Sequence, residues 1–151
     1  MMKIREFINK YFDTIETILI LGFAAGMIMI LKEMHYAFWV LRISLGALAI
    51  LYWSKTTERK ENQPASEKIS EKVMWYSLII TPIAIIGKLQ FSENANAFLL
   101  FSLGALFFAG GYRIFERKKA KEKINTGEIT RLLIAAILAF SLFTLPLPSI
   151  N

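Results

Sequence analysis

Three groups of residues in this 151-residue chain are of types that could do chemistry, and each borders or interrupts an apolar stretch. Arg42 is the one charge inside the run Tyr36–Trp53. Lys32, Glu33 and His35 crowd the segment before that run, and Lys88 and Glu93 crowd a similar segment further along. A guanidinium in an apolar helix either extends along its own stem to the headgroups or meets a buried partner. The partners on offer are an anionic lipid, Glu33, Glu93 or another subunit. A single histidine with no second His and no Cys is a poor zinc site, because zinc takes three or four nitrogen and sulfur ligands. No metal or cofactor is therefore expected. With no cysteine, one histidine and no acid pair in a concave apolar setting, no nucleophile–base arrangement is expected either.

The elements that must hold these residues are five apolar runs. The chain is 55% hydrophobic, with a mean hydropathy of +0.45, and its apolar residues are concentrated rather than spread. Thr17–Leu31, Val73–Gly87, Ala95–Tyr112 and Leu132–Asn151 carry no charged side chain, and Tyr36–Trp53 carries only Arg42. A bilayer core about 30 Å thick needs about 20 helical residues, and about 17 suffice at the lower end. The chain reads as an all-α integral membrane protein with five transmembrane helices, forming a single membrane domain over residues 1–151.

Charge placement orients these helices. Lys3, Arg5 and Lys10 precede the first run. Lys55, Arg59, Lys60, Lys68 and Lys72 lie between the second and third. Arg113, Arg117, Lys118, Lys119, Lys121, Lys123 and Arg131 lie between the fourth and fifth. That puts 15 of the 18 basic residues on one side. Loops rich in Lys and Arg stay cytoplasmic, so the N-terminus is expected inside and the C-terminal "PLPSIN" outside a bacterial cytoplasmic (inner) membrane. The net charge of +6 is thus explained by topology, and no nucleic-acid partner is expected. "MMKIREFINKYFDTIE" mixes acidic residues into the basic stretch and no A-x-A site follows, so the first span is expected to remain.

The chain also repeats itself. SLGAL stands at Ser44–Leu48 and again at Ser102–Leu106, and each copy is followed ten residues on by ERK, at Glu58–Lys60 and Glu116–Lys118. An apolar helix ending in a lysine, Lys32 or Lys88, precedes each copy. The common order of lysine, turn, pentapeptide and ERK predicts two tandem antiparallel hairpins plus one extra helix. Repeat one covers about 14–60, repeat two about 72–118, and the fifth helix about 129–147.

"LKEMHY", with Lys32, His35 and Tyr36, followed by SLGAL, resembles the N-terminal transmembrane hairpin of the L subunit of the bacterial gliding-motility and type IX secretion motor. The second copy keeps Lys88, has Phe91 in place of His35, and continues "SENANAFLL". The resemblance covers two stretches of about 30 residues, present as degenerate tandem copies. It implies a shared hairpin building block. The motor runs on proton flow and needs a carboxylate inside its second helix, and the family's large cytoplasmic tail and Pro-Gly turn are absent here. Neither Tyr36–Trp53 nor Ala95–Tyr112 contains Asp or Glu, so motor activity is not carried over.

The remaining features concern packing. Gly22 and Gly26, in "GFAAG", have the small-xxx-small spacing that lets membrane helices approach closely, and Ala105/Ala109 and Ala135/Ala139 repeat it. Gly46 and Gly104 are expected at matching depths in the two hairpins, packed against their partner helices. Pro82 is expected to kink the third span. Asp13 and Glu16 are read as a capping box on the first span, and Ser92 or Asn94 as a cap on the fourth. Trp39, Tyr52, Trp53, Trp75, Tyr76 and Tyr112 are read as an interface belt. The expected partners are the bilayer and other membrane proteins or a second copy. The expected role is a non-enzymatic accessory or interaction component of a bacterial membrane assembly, with a small transporter or channel subunit as the alternative.

Overall fold

The computed structural model describes residues 2–57, 65–90, 94–119 and 126–144, with side chains from residue 6 onward. Six helices follow in order: α1 (Met2–Lys10), α2 (Phe12–Leu31), α3 (Ala37–Thr56), α4 (Ala65–Leu89), α5 (Ala95–Lys119) and α6 (Thr126–Thr144). No strand occurs among the described residues. All but α1 are long and apolar enough to cross a membrane, which is the make-up of a multi-pass membrane protein. The short α1 has apolar and charged faces; Ile8 on it packs against the core while Phe7 stays exposed.

Each helix packs on the one before it, from α2 through α6, and α4 also touches α6. Helix α4 is thus central, and it buries the largest share of its apolar window, 56% against 17% for α2 and for α6. Two core clusters result. One, near the basic ends of the helices, joins Phe12, Tyr52, Met74, Trp75 and Leu106. The other, near the opposite ends, joins Phe23, Leu41, Ile85, Leu99 and Leu142. Dispersion and close fit must hold such helices together where lipid offers no hydrophobic contrast.

The fit between α2 and α3 depends on two glycines. A Cβ placed on Gly26 would lie 2.6 Å from the Leu41 side chain, and one on Gly22 would lie 2.6 Å from the Ser44 hydroxyl. Gly46 and Gly104 require a correction. Neither meets anything within 4 Å among the described residues, so they do not mediate packing within the chain. The buried stripe of α3 runs through Leu41, Ser44, Leu45 and Leu48, and that of α5 through Leu99, Ser102, Leu103 and Leu106. Both stripes leave the pentapeptide glycine outside.

Three further expectations are corrected or refined. Helix α4 is continuous through Pro82, which is buried, with Thr81 donating to the Ser77 carbonyl at 2.9 Å. The capping box does not form: Tyr11 precedes α2, no side chain caps it, and both acids are engaged elsewhere. Of the supposed aromatic belt, Trp39, Trp53 and Tyr76 are exposed, whereas Tyr52 and Trp75 are core residues 5.9 Å apart, centroid to centroid. Glu93, Ser92, the first ERK copy, residues 120–125 and the end of the predicted fifth helix lie outside the described residues.

Candidate functional site

The residues singled out from the sequence do not converge. Lys32, Glu33 and His35 are all exposed in the turn after α2. Their arrangement is that of a helix stop. Glu33 has φ 55°, its N–H donates to the Ile30 carbonyl, and the Met34 N–H donates to the Met29 carbonyl. This pair of bonds is the Schellman closure, in which a left-handed residue satisfies the last carbonyls of a helix. Glu33 therefore occupies a backbone position that usually suits glycine. Lys88 is half-buried and donates to the Asn96 side chain, tying the end of α4 to the start of α5. Arg42 is half-buried, with its guanidinium 5.7 Å from the Trp39 ring and its Nε buried without a hydrogen-bond partner among the described residues.

The charge chemistry lies instead at the basic ends of the helices, in two clusters. In the first, Glu16 of α2 is 6% exposed. It accepts from Arg131 Nε of α6 at 2.7 Å and from the Tyr52 hydroxyl of α3 at 2.9 Å, and Arg131 Nη2 also pairs with Asp13. The Arg131 and Lys55 cations both lie over the Phe12 ring, at 5.3 and 4.8 Å. In the second, Arg113 of α5 is 2% exposed. It donates to Glu128 of α6 from Nε at 3.0 Å and from Nη2 at 3.2 Å, and its Nη1 donates to the Ser70 hydroxyl of α4 at 3.1 Å. Arg117 approaches the same carboxylate at 3.4 Å. Glu128 and Arg131, three residues apart, place opposite charges on one turn of α6. Each is drawn to a different neighbour, so α6 is fastened to α5 on one side and to α2 on the other.

Here the sequence reading needs correcting. Asp13 and Glu16 do lie inside a membrane-length helix, because α2 starts at Phe12 rather than at Thr17. A buried carboxylate persists only with a charged partner and hydrogen bonds, and Arg131 and Tyr52 supply both. The sequence signal was present but split: Tyr52 and Arg131 border their own apolar runs on the same side of the membrane as Glu16.

The interior polar groups below these clusters are self-contained. Ser77 donates to the Val73 and Ala105 carbonyls, Thr81 to Ser77, and Ser102 to Leu99. Hydroxyls satisfied by helix backbone do not line a polar path. Between α2 and α6 a cavity of about 360 Å³ remains, with α3 and α4 as its back wall. No group of three or more potential metal ligands occurs among the described residues.

One exposed face is patterned beyond mere apolarity. Ala97, Phe101, Gly104, Phe108, Gly111 and Phe115 all lie on the outside of α5, spaced alternately four and three residues apart. Small residues and phenylalanines alternate without exception along this line. The positions 58 residues earlier, on α3, are Trp39, Ile43, Gly46, Ile50 and Trp53, which do not alternate in size. Comparison with protein-family models, curated proteins and solved structures gives no match, and so none to the motor subunit that the LKEMHY hairpin resembles.

Proposed function

We propose that the protein is a non-enzymatic component of a bacterial membrane assembly, held to another transmembrane helix through the outer face of α5. The observation that carries this reading is the alternation of Phe with Ala or Gly at 4–3 spacing. A lipid-facing surface needs only to be apolar. A seam repeating every 3.5 residues faces a partner helix along its whole length, and small residues between bulky ones supply the holes into which a partner's side chains fit.

Topology follows the charge split, with the N-terminus and both long loops in the cytoplasm and the clusters of Glu16 and Arg113 at the cytoplasmic face. The tandem duplication is supported by burial: Ser44 and Ser102, Leu45 and Leu103, and Leu48 and Leu106 are buried in both copies, and Gly46 and Gly104 point outward in both. The transport reading has less support. The mid-depth hydroxyls are satisfied by helix backbone carbonyls, and two ion-pair clusters fasten the end where a path would have to open. Proton-driven motor activity has less still, since Glu16 sits near the start of its helix and is salt-bridged, and α3 holds no carboxylate.

The test is the mass of the particle released from native membranes by a mild detergent. The expected particle exceeds the 17.3 kDa chain by a second copy or a partner chain. Gly104→Leu combined with Gly111→Leu fills two holes of the seam and is expected to release the 17.3 kDa chain alone, still folded, because neither position has a close neighbour among the described residues. A wild-type particle of a single chain overturns the proposal, as does a particle that the double substitution leaves intact.

A further inference from the structure

The cavity between α2 and α6 has a form that the α5 seam does not explain. Helix α6 packs mainly on α5 and α4, and α2 on α3 and α1, so little backbone packing closes the gap between α2 and α6. At the basic end Arg131 bridges the gap by reaching Glu16 and Asp13. Below that bridge the walls are apolar, including Ile20, Leu45, Leu48, Ile85, Ile134 and Leu138. An apolar void does not hold water, and with α2 and α6 spanning a bilayer as proposed, the material beside this one is hydrocarbon. Its volume of about 360 Å³ is at the small end of ligand pockets and far too small for a helix.

The mouth selects the head of such a molecule. Asp13, 85% exposed on its side chain, presents a carboxylate to the outside. Arg131 uses Nε and Nη2 for Glu16 and Asp13, no bond from its Nη1 is found among the described residues, and the exposed Thr126 and Thr130 line the same cavity. Donor and acceptor charges are therefore both available, and Asp13, Glu16, Arg131 and Lys55, the last two over the same Phe12 ring, sum to zero. An anionic head would leave a net charge on that balance. A head carrying an ammonium and a phosphate matches both signs.

We propose that this cavity holds one hydrocarbon chain of a zwitterionic aminophospholipid, with the ammonium at Asp13 and the phosphate at Arg131. The experiment reconstitutes the full chain in vesicles of equal parts phosphatidylethanolamine and phosphatidylglycerol. The protein is then extracted mildly, washed, and its retained phospholipid counted per chain by native mass spectrometry. One phosphatidylethanolamine is expected per chain, about tenfold over phosphatidylglycerol. Ala135→Leu, which fills the wall, is expected to cut retention about tenfold without lowering the melting temperature. Leu138→Phe is expected to do the same and covers the case where Ala135→Leu does not fold. Ala25→Leu, exposed on α2 outside the cavity, is expected to retain the lipid, and Asp13→Asn to bring the two lipids to parity. Retention unchanged in both cavity variants, equal retention of the two lipids by the wild type, or no retained lipid overturns the proposal.

Discussion

Arg113→Ala is expected to destabilise the folded bundle by about 3–5 kcal/mol, the usual cost of removing one partner from a buried ion pair. The guanidinium is 2% exposed, and it satisfies both oxygens of Glu128 and the hydroxyl of Ser70, itself 1% exposed. Among the described residues, truncation leaves the Glu128 carboxylate, 12% exposed, with only the longer contact to Arg117. It also leaves Ser70 without its donor. The measurement is thermal unfolding of the purified protein in detergent. The companion variant separates the pair from the position. Arg113→Met with Glu128→Leu removes both charges and keeps apolar bulk, and replacing a buried pair in this way is often neutral or better. Most of the lost stability is therefore expected to return. A single substitution that costs less than about 1 kcal/mol would mean that the cluster is wetter than its burial indicates.

Glu16→Ala is expected to cost about 2–3 kcal/mol, less than Arg113→Ala, and to loosen α6 from α2. Two groups lose their acceptor: the Tyr52 hydroxyl, on a residue 4% exposed, and Arg131 Nε. Arg131 retains Asp13 and is 21% exposed, so water relieves part of its loss. Tyr52→Phe removes one hydrogen bond only and is expected to cost about 1 kcal/mol. Proteolysis or hydrogen exchange at the start of α6 separates the two. Glu16→Ala is expected to raise exchange there, because Arg131 is the bridge between the helices, and Tyr52→Phe is not.

The membrane-length helices were legible because a span needs a long uncharged run, and four such runs plus one holding only Arg42 stand out in the chain. The helix ends were less so. Helix α4 begins at Ala65 and α5 continues to Lys119, well outside their apolar runs, because charged residues are good helix formers once the chain leaves the hydrocarbon. The charge clusters were legible only as separate flanks. Glu16 and Arg131 are 115 residues apart, and each looks like an ordinary flank of an apolar run. Only the packing order, which puts the starts of α2 and α6 side by side, turns two flanks into a buried pair. Gly104 shows the converse. Its repetition with Gly46 drew attention to it as a packing residue, yet the stripe that faces the bundle passes through Ser102, Leu103 and Leu106. The role left for it is on the outside, where the alternation with Phe101 and Phe108 gives it a reason to be small.

That role is tested most directly by cysteine cross-linking along α5. The chain has no cysteine of its own, so single substitutions report without background. Single cysteines at Ala97, Phe101, Gly104, Phe108 and Gly111, and at the equivalent Trp39, Ile43, Gly46, Ile50 and Trp53 of α3, are labelled in native membranes with a short cysteine-directed photo-crosslinker, which captures a second copy or a partner chain alike. The expected result is a cross-linked product from the α5 positions that recurs with the 4–3 spacing, and none from the α3 positions. Chains that remain uncross-linked at every α5 position, or products that form equally along α3, would contradict the assignment of α5 as the helix that joins this protein to its assembly.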